Sequence, residues 1–434
     1  VINLTLGDFM KPFTVLTAFF LLMVSACDHN GKGPDPCGDG EISAADAVWS
    51  HGEGDLQNTK RATKLRTKGC VTAPDSAPQL VWSFDIGGGG TYAAPVIGDD
   101  GTIYIEGEYP GEPIGGGVKR AGLMALNPNG TLKWFFERPI DLEVAVAAAY
   151  DGSVALDESN GIYIGFWDST FYALDLTGAV RWKYRTDQGF SANPVIGDDG
   201  KIYAATDTVF CFDPNGSVLW RFAATETTKR CVGIALGERM IFCRYDDYGI
   251  ITLGYDGQKR WAYTPISFSF HGTILIDEDE NIYFRVDRSV LASVDRFGQS
   301  RWFLGTSPPG FGTSEPVLRG DRIYSATLGN LFSTDKETGG DSQLLGGVPR
   351  PIAIDSSPLI ADDGRVIVAT QYEGTSPPLL ACIGQDSTIH WQVPIPGAEY
   401  TDFQAYLALS RSGEIILATF SIESSAVNRV YKFK

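Results

Sequence analysis

The sequence predicts an all-β chain folded as an eight-bladed β-propeller of four-stranded antiparallel blades, preceded by a signal peptide and a tether. Three observations carry that expectation. Six tryptophans, Trp134, Trp182, Trp220, Trp261, Trp302 and Trp391, close near-identical phrases, of the form Gly-x-x-x-Trp in the first five. Short alternating apolar runs between them are separated by Asp-Gly and Asn-Gly pairs, which supply the positive φ of tight hairpins. The period is about 40 to 50 residues, the spacing of repeat units that bury their faces only by stacking on neighbours.

Two copies laid side by side define the unit. Ala94-Pro95-Val96-Ile97-Gly98-Asp99-Asp100-Gly101-Thr102-Ile103-Tyr104 matches Asn193-Pro194-Val195-Ile196-Gly197-Asp198-Asp199-Gly200-Lys201-Ile202-Tyr203, and both copies end in an Asn-Gly turn before Trp134 or Trp220. Each reads strand, turn, strand, turn, strand. From Trp82 the tryptophan intervals are 52, 48, 38, 41 and 41 residues, and the next 89 residues reach Trp391. That long interval holds two units, one of which ends at Leu344-Leu345 without a tryptophan. The last unit stops near Phe433, one strand short. A ring leaves no open edge only if its ends meet, so the strand around Trp82 is expected to complete the final blade, giving eight blades over residues 78–434.

These units resemble the PQQ-like (quinoprotein-type) β-propeller repeat family, whose best-known members have eight blades. Trp49-Ser50-His51-Gly52-Glu53-Gly54-Asp55-Leu56-Gln57-Asn58-Thr59 also resembles the lead-in that precedes the first blade in that family. The resemblance implies fold, and leaves chemistry to the site.

Residues 1–27 read as a targeting segment. Met10-Lys11 opens a basic region, Phe13 to Val24 is an apolar core too short for a span of roughly 20 residues, and Val24-Ser25-Ala26-Cys27 has the form of a lipobox. Val1 to Phe9 read as an upstream extension. Lipidation of Cys27 is expected, and two or more acyl chains suffice for stable anchoring. The chain is thus expected in the bacterial cell envelope, held to a membrane by lipid and facing the periplasm or the surface, with the leaflet open. Residues 28–77, rich in Gly, Pro and Asp, read as a tether and lead-in. Within them Asp35 to Asp46 follows a twelve-residue calcium-loop frame with Cys37 and Asp46 out of pattern; the preferred reading is an Asp/Gly-rich turn with Ser43 capping a short helix.

The chemistry expected is sparse. Thirty-five basic and 53 acidic residues leave a net charge of −18, which argues against nucleic acid as a partner because phosphates demand clustered Lys and Arg. Four histidines stand in unrelated contexts, and there is no nucleophile elbow, haem motif or phosphate loop. Gly87 to Gly90 precede a strand, so no helix follows for a phosphate to cap. Of seven cysteines, Cys37 and Cys70 lie outside the ring and could staple the tether; Cys211, Cys231, Cys243 and Cys382 fall in the repeats, where a cysteine is most often a small buried apolar residue. Quinone dehydrogenases of the family use an adjacent cysteine pair, and no Cys-Cys occurs in this chain. No catalytic residue, no cofactor and no resident metal are therefore expected.

A non-catalytic relative implied by the resemblance is the propeller lipoprotein of the outer-membrane β-barrel assembly machine. A monomeric protein-interaction scaffold with an envelope protein partner is the expected function. The alternative is a module binding carbohydrate or a small ligand, and a PQQ-dependent dehydrogenase ranks below both. The expected working surface comes from loop lengths. Three units insert residues at the same point of the repeat, at Glu106 to Arg120, Tyr372 to Pro378 and Ser421 to Asn428, and in a closed ring these units are neighbours. Tyr109, Glu112, Arg120, Tyr372 and Glu373 on this crest are the candidate partner-binding residues.

Overall fold

The computed structural model describes residues 71–87, 94–109, 120–138, 153–157, 161–225, 227, 229–264, 274–287, 290–305, 315–327, 330–340, 342–347, 351–354, 356–372, 377–397, 404–410, 412–420 and 427–434. Eight antiparallel sheets follow one another along the chain. Blades 1 to 7 occupy residues 96–137, 155–185, 195–223, 231–263, 275–305, 317–347 and 351–394; blade 8 takes 404–433 and adds Leu80–Asp85 as its outer strand. Blade 7 departs from four strands because its inner strand is in two pieces, Pro351–Ile354 and Leu359–Ile360. Both pair with Val366–Tyr372.

Each repeat phrase has a structural reason. In blade 3 the inner strand Val195–Ile196 pairs with Ile202–Ala205, which pairs with Thr208–Phe212, which pairs with Val218–Ala223. The first three strands are almost wholly buried, whereas the outer one alternates exposed and half-buried. That is why the inner phrases read as continuous apolar runs and only the outer strand shows a clean period of two. The second strand begins Ile-Tyr because the tyrosine is packed against the tryptophan of its own blade: Tyr104–Trp134, Tyr163–Trp182, Tyr203–Trp220 and Tyr283–Trp302 have ring centroids 5.9, 5.9, 5.9 and 6.0 Å apart.

The tryptophans join blade to blade. Trp82, Trp134, Trp182, Trp220, Trp261 and Trp302 each donate the indole N–H to a carbonyl in the outer turn of the following blade, at Pro128, Leu176, Pro214, Tyr255, Arg296 and Lys336, over 2.8 to 3.0 Å. The glycine of that turn lies under the ring. A Cβ on Gly130 would stand 2.6 Å from Trp82, and one on Gly216 2.6 Å from Trp182, with φ of +84° and +91°. The turn therefore requires glycine twice, for its dihedral and for the close approach of the indole. A bulge in the outer strand pairing, such as that between Ala125 and Leu126, directly precedes the tryptophan in blades 1 to 5 and 7, and the added twist of a bulge re-aims side chains.

The N-terminal strand closes the ring as the incomplete last repeat requires. Trp82 pairs with Lys432, Phe84 with Val430 and Asp85 with Arg429. Backbone bonds between Gln79 and Lys434 in both directions, of 2.8 and 2.9 Å, extend the ladder. Trp391 of blade 7 donates over 2.7 Å to the carbonyl of Pro74 in the segment just before this strand. Arg365 Nη1 donates to the same carbonyl at 2.9 Å.

An ion cluster supports the closed blade. Glu414, in the first turn of blade 8, meets Lys432 Nζ at 2.8 Å and Lys434 Nζ at 3.2 Å. Burial opposes ionisation of this carboxyl, but the two lysines outweigh it and hold it below its ordinary value. A depressed folded-state pKa contributes stability that is present above the unfolded value and lost as pH falls through the folded one. Glu414→Gln is accordingly expected to unfold at lower urea than the parent at pH 7, the gap shrinking below about pH 4. A gap that is constant across that range would remove the electrostatic account.

Candidate interaction face

Strand direction sorts the connections onto two ends of the ring. The inner Asp-Asp-Gly turns and outer Asn-Gly turns lie at one end, the turn face; the second-to-third strand hairpins and the links between blades lie at the other, the loop face. On the loop face the hairpins are uneven. Twelve residues separate Glu108 from Ala121 in blade 1, six separate Tyr372 from Leu379 in blade 7, and eight separate Phe420 from Arg429 in blade 8. Blades 2 to 6 use two to four residues at this point. The blade 1 insertion is shorter than its sequence suggests, because Glu106, Gly107 and Glu108 remain in the second strand, paired with Leu123, Gly122 and Ala121. A facing Gly107–Gly122 pair lets the ladder run on past the usual hairpin point.

Tyr109 and Arg120 form the neck of that insertion. The Tyr109 N–H donates to the Arg120 carbonyl at 2.7 Å. The Arg120 guanidinium lies 4.7 Å from the Tyr109 ring centroid and 5.5 Å from that of Phe135, and the two rings are 5.0 Å apart. Nε and Nη2 of Arg120 both donate to Glu137 Oε2, at 2.9 and 2.7 Å, and the hydrogen bond to Glu137 raises the arginine's already high pKa. Stacked and held at two nitrogens, a half-exposed arginine of this kind is pre-organised for a planar anionic or aromatic group. Tyr372 ends the second strand of blade 7. Glu112, Glu373 and Cys27 lie outside the described residues, as do Cys37, Cys70 and Asp35 to Asp46.

Three features of this face were not read from the sequence. Trp167, unlike the tryptophans that join blades, sits in the blade 2 hairpin with Arg230 4.0 Å over its ring. Arg244 and Arg285, three residues after the Ile of the second strand in blades 4 and 5, are 0 % and 2 % exposed, where Glu106, Gly165, Ala205, Ala326, Ala369 and Ala418 stand in the other blades. Burial pulls the Arg244 pKa down to about 10, with Glu315 and Asp246 opposing and Arg285 reinforcing the shift. Two isolated basic residues carry no periodic signal, so only the register shows that they occupy equivalent sites. Phe190 and Phe210 pack beneath this face in a stacked aromatic group with Phe171 and Phe212.

Among the described residues, no three His, Cys, Asp or Glu side chains converge on a common metal-sized point. Cys211, Cys231, Cys243 and Cys382 are buried free thiols. Burial pushes Cys211 up to about 11 and Cys382 up to about 12, so neither is a nucleophile at neutral pH.

Comparison with known proteins places this architecture. The family model PQQ_2, described as outer membrane protein assembly factor BamB, matches residues 167–376. No curated protein sequence matches the chain. Among solved structures, BamB from Moraxella catarrhalis superposes with a TM-score of 0.55 at 16% identity, covering 83% of this chain and 98% of that one. A europium-containing methanol dehydrogenase superposes with a TM-score of 0.64 at 12% identity, covering 89% and 98%. At such identities the two superpositions establish fold and leave activity to other arguments. The chain is an eight-bladed propeller whose residues 167–376 match the PQQ_2 family model, similar in architecture to the assembly factor BamB.

Proposed function

We propose that the propeller is a non-catalytic interaction scaffold of the bacterial cell envelope, anchored through Cys27, whose loop face receives a protein partner. The observation that supports this reading most is the concentration of long hairpins in three consecutive blades, 7, 8 and 1, with the Tyr109, Arg120 and Glu137 cluster built at the neck of the longest. Strands carry the fold, so these loops are free to be shaped by a partner. Tyr and Arg are the residue types that dominate interface energetics. In this reading Glu112, Tyr372 and Glu373 contribute further contacts from the same crest.

Cutting Glu108 to Lys119 down to an Asn-Gly turn tests the proposal. The trimmed protein is expected to keep its unfolding midpoint, because the ladder from Ile103 to Gly107 is untouched, and to lose its envelope partner by at least tenfold in affinity, on the order of 1.4 kcal/mol or more. A trimmed variant that stays folded and keeps every native partner eliminates the crest. Glycan binding by the isolated domain, without protein partners, would favour the small-ligand alternative.

A further inference from the structure

Of the four buried thiols of the ring, three fall in one apolar cluster of blades 3 and 4, and two of these are neighbours. The inner strand of blade 4, Cys231–Leu236, is six residues long, whereas those of blades 1, 2, 3 and 5 have two. Its extra length lies toward the loop face, and Cys231 is its first residue. Cys231 pairs with Tyr245 and Ile234 with Cys243, with a register shift between Cys231 and Gly233. Tyr245 and Cys243 stand two residues apart on one strand, so they share a face of the sheet, and Cys231 shares it as the partner of Tyr245. The two cysteines are diagonal neighbours across a bulge.

Their thiols meet. Cys231 Sγ donates to the Gly233 carbonyl at 3.5 Å. Burial, and next the hydrogen bond to the Cys231 thiol, push the Cys243 thiol well above its ordinary pKa. Both residues are 0 % exposed. Plain diagonal neighbours have Cα atoms about 7 to 8 Å apart, just beyond the roughly 4.4 to 6.8 Å that a disulfide spans. Closing that gap falls to the bulge at Val232, which adds twist and bends the strand carrying Cys231. Cys231 is also a joint between blades, since its N–H donates to the Thr206 carbonyl at 2.7 Å and its carbonyl accepts from Ser191 Oγ at 2.9 Å. A bond to Cys243 ties this joint to the second strand of blade 4.

We propose that Cys231 and Cys243 are joined as a disulfide while blade 4 folds. The co-reactant is an organic disulfide, either glutathione disulfide or that of a thiol oxidoreductase; its presence around the chain rests on the envelope location proposed above. One cysteine thiolate attacks a donor sulfur and breaks the donor S–S bond, giving a mixed disulfide and one donor thiolate. The other thiolate then attacks the cysteine sulfur of that mixed disulfide, forming the Cys231–Cys243 bond and releasing the second donor thiolate. The donor gains two electrons, and the two cysteine protons leave to solvent or to the donor sulfurs. Exchange precedes packing, because in the closed blade neither thiol is exposed and little of Cys243 is thiolate. The same burial afterwards shields the bond from reductants. Cys211 and Cys382, paired with Trp220 and Trp391 across their strands, remain thiols.

Peptide mapping of the full chain tests the pair. Trypsin cuts after Arg230, Arg239 and Arg244, which leaves the cysteines on separate peptides, 231–239 and 240–244. Chain reduced in denaturant, refolded in a glutathione redox buffer and then alkylated is expected to yield these two peptides joined, lighter by two hydrogens than their sum, with Cys211 and Cys382 alkylated. With dithiothreitol present throughout, the urea midpoint of the parent should fall and that of Cys231→Ala should not move. Alkylation of both Cys231 and Cys243 in the refolded parent, or a bond from either to Cys211, overturns the pair. The buffer supplies the oxidant, so this result does not depend on where the chain resides. Peptides joined after refolding but free in chain isolated from cells would count against the envelope location alone.

Discussion

Deletion of residues 71–85 is expected to abolish cooperative folding. Leu80–Asp85 is the outer strand of blade 8, and without it Arg429–Phe433 becomes an open edge. The deletion also removes both ring-closing indole contacts, since Trp82 no longer reaches Pro128 and Trp391 loses the Pro74 carbonyl. At about 3 kcal/mol for each large aromatic contact, the two junctions alone match much of the 5 to 15 kcal/mol stability of a typical domain. Calorimetry should show the single transition lost or lowered by well over 10 °C, with aggregation through the open edge. A synthetic peptide of residues 71–87 should restore it in trans. A deletion variant that melts at the parental temperature would mean that the ring closes some other way.

Trp182→Ala is the second large effect. The indole donates to the Pro214 carbonyl at 2.9 Å, lies over Gly216, and has ring contacts with Tyr163, Phe171 and Phe212 between 5.6 and 5.9 Å. Truncation is expected to cost about 3 to 4 kcal/mol. Gln343→Ala, at the same register of blade 6, should cost under about 0.5 kcal/mol because the side chain is exposed. Urea midpoints of the two variants decide the matter. Equal losses would show that the outer-strand position contributes through something other than the indole contact.

These two effects also mark what was legible in the sequence. The tryptophan period, the glycine four residues earlier and the missing final strand led to eight blades and to their closure, because each reflects a contact that every blade must repeat. Exceptions to the repeat were harder to read. The divided inner strand of blade 7 and the run of Glu106 to Glu108 within a strand depend on local pairing that no periodic pattern encodes. The unit ending at Leu344-Leu345 lacks its tryptophan, and only the register shows that Gln343, opposite Ser333, takes the position. On the candidate face, loop length located the crest, and Tyr109 and Arg120 do meet at its neck. Phe135 and Glu137, which hold Arg120, looked like ordinary outer-strand residues. The burial of Arg244 and Arg285 has no signal in the sequence, since a single basic residue in a strand gives no hint of which way it points.

Site-specific photo-crosslinking of the full chain in native envelopes tests the scaffold reading most directly. A photoreactive residue at position 109 or 120 is expected to give discrete adducts with an envelope assembly protein, while the same probe at position 177 or 215 on the turn face gives none. Adducts confined to the turn-face positions, or absent from both faces, would contradict the reading.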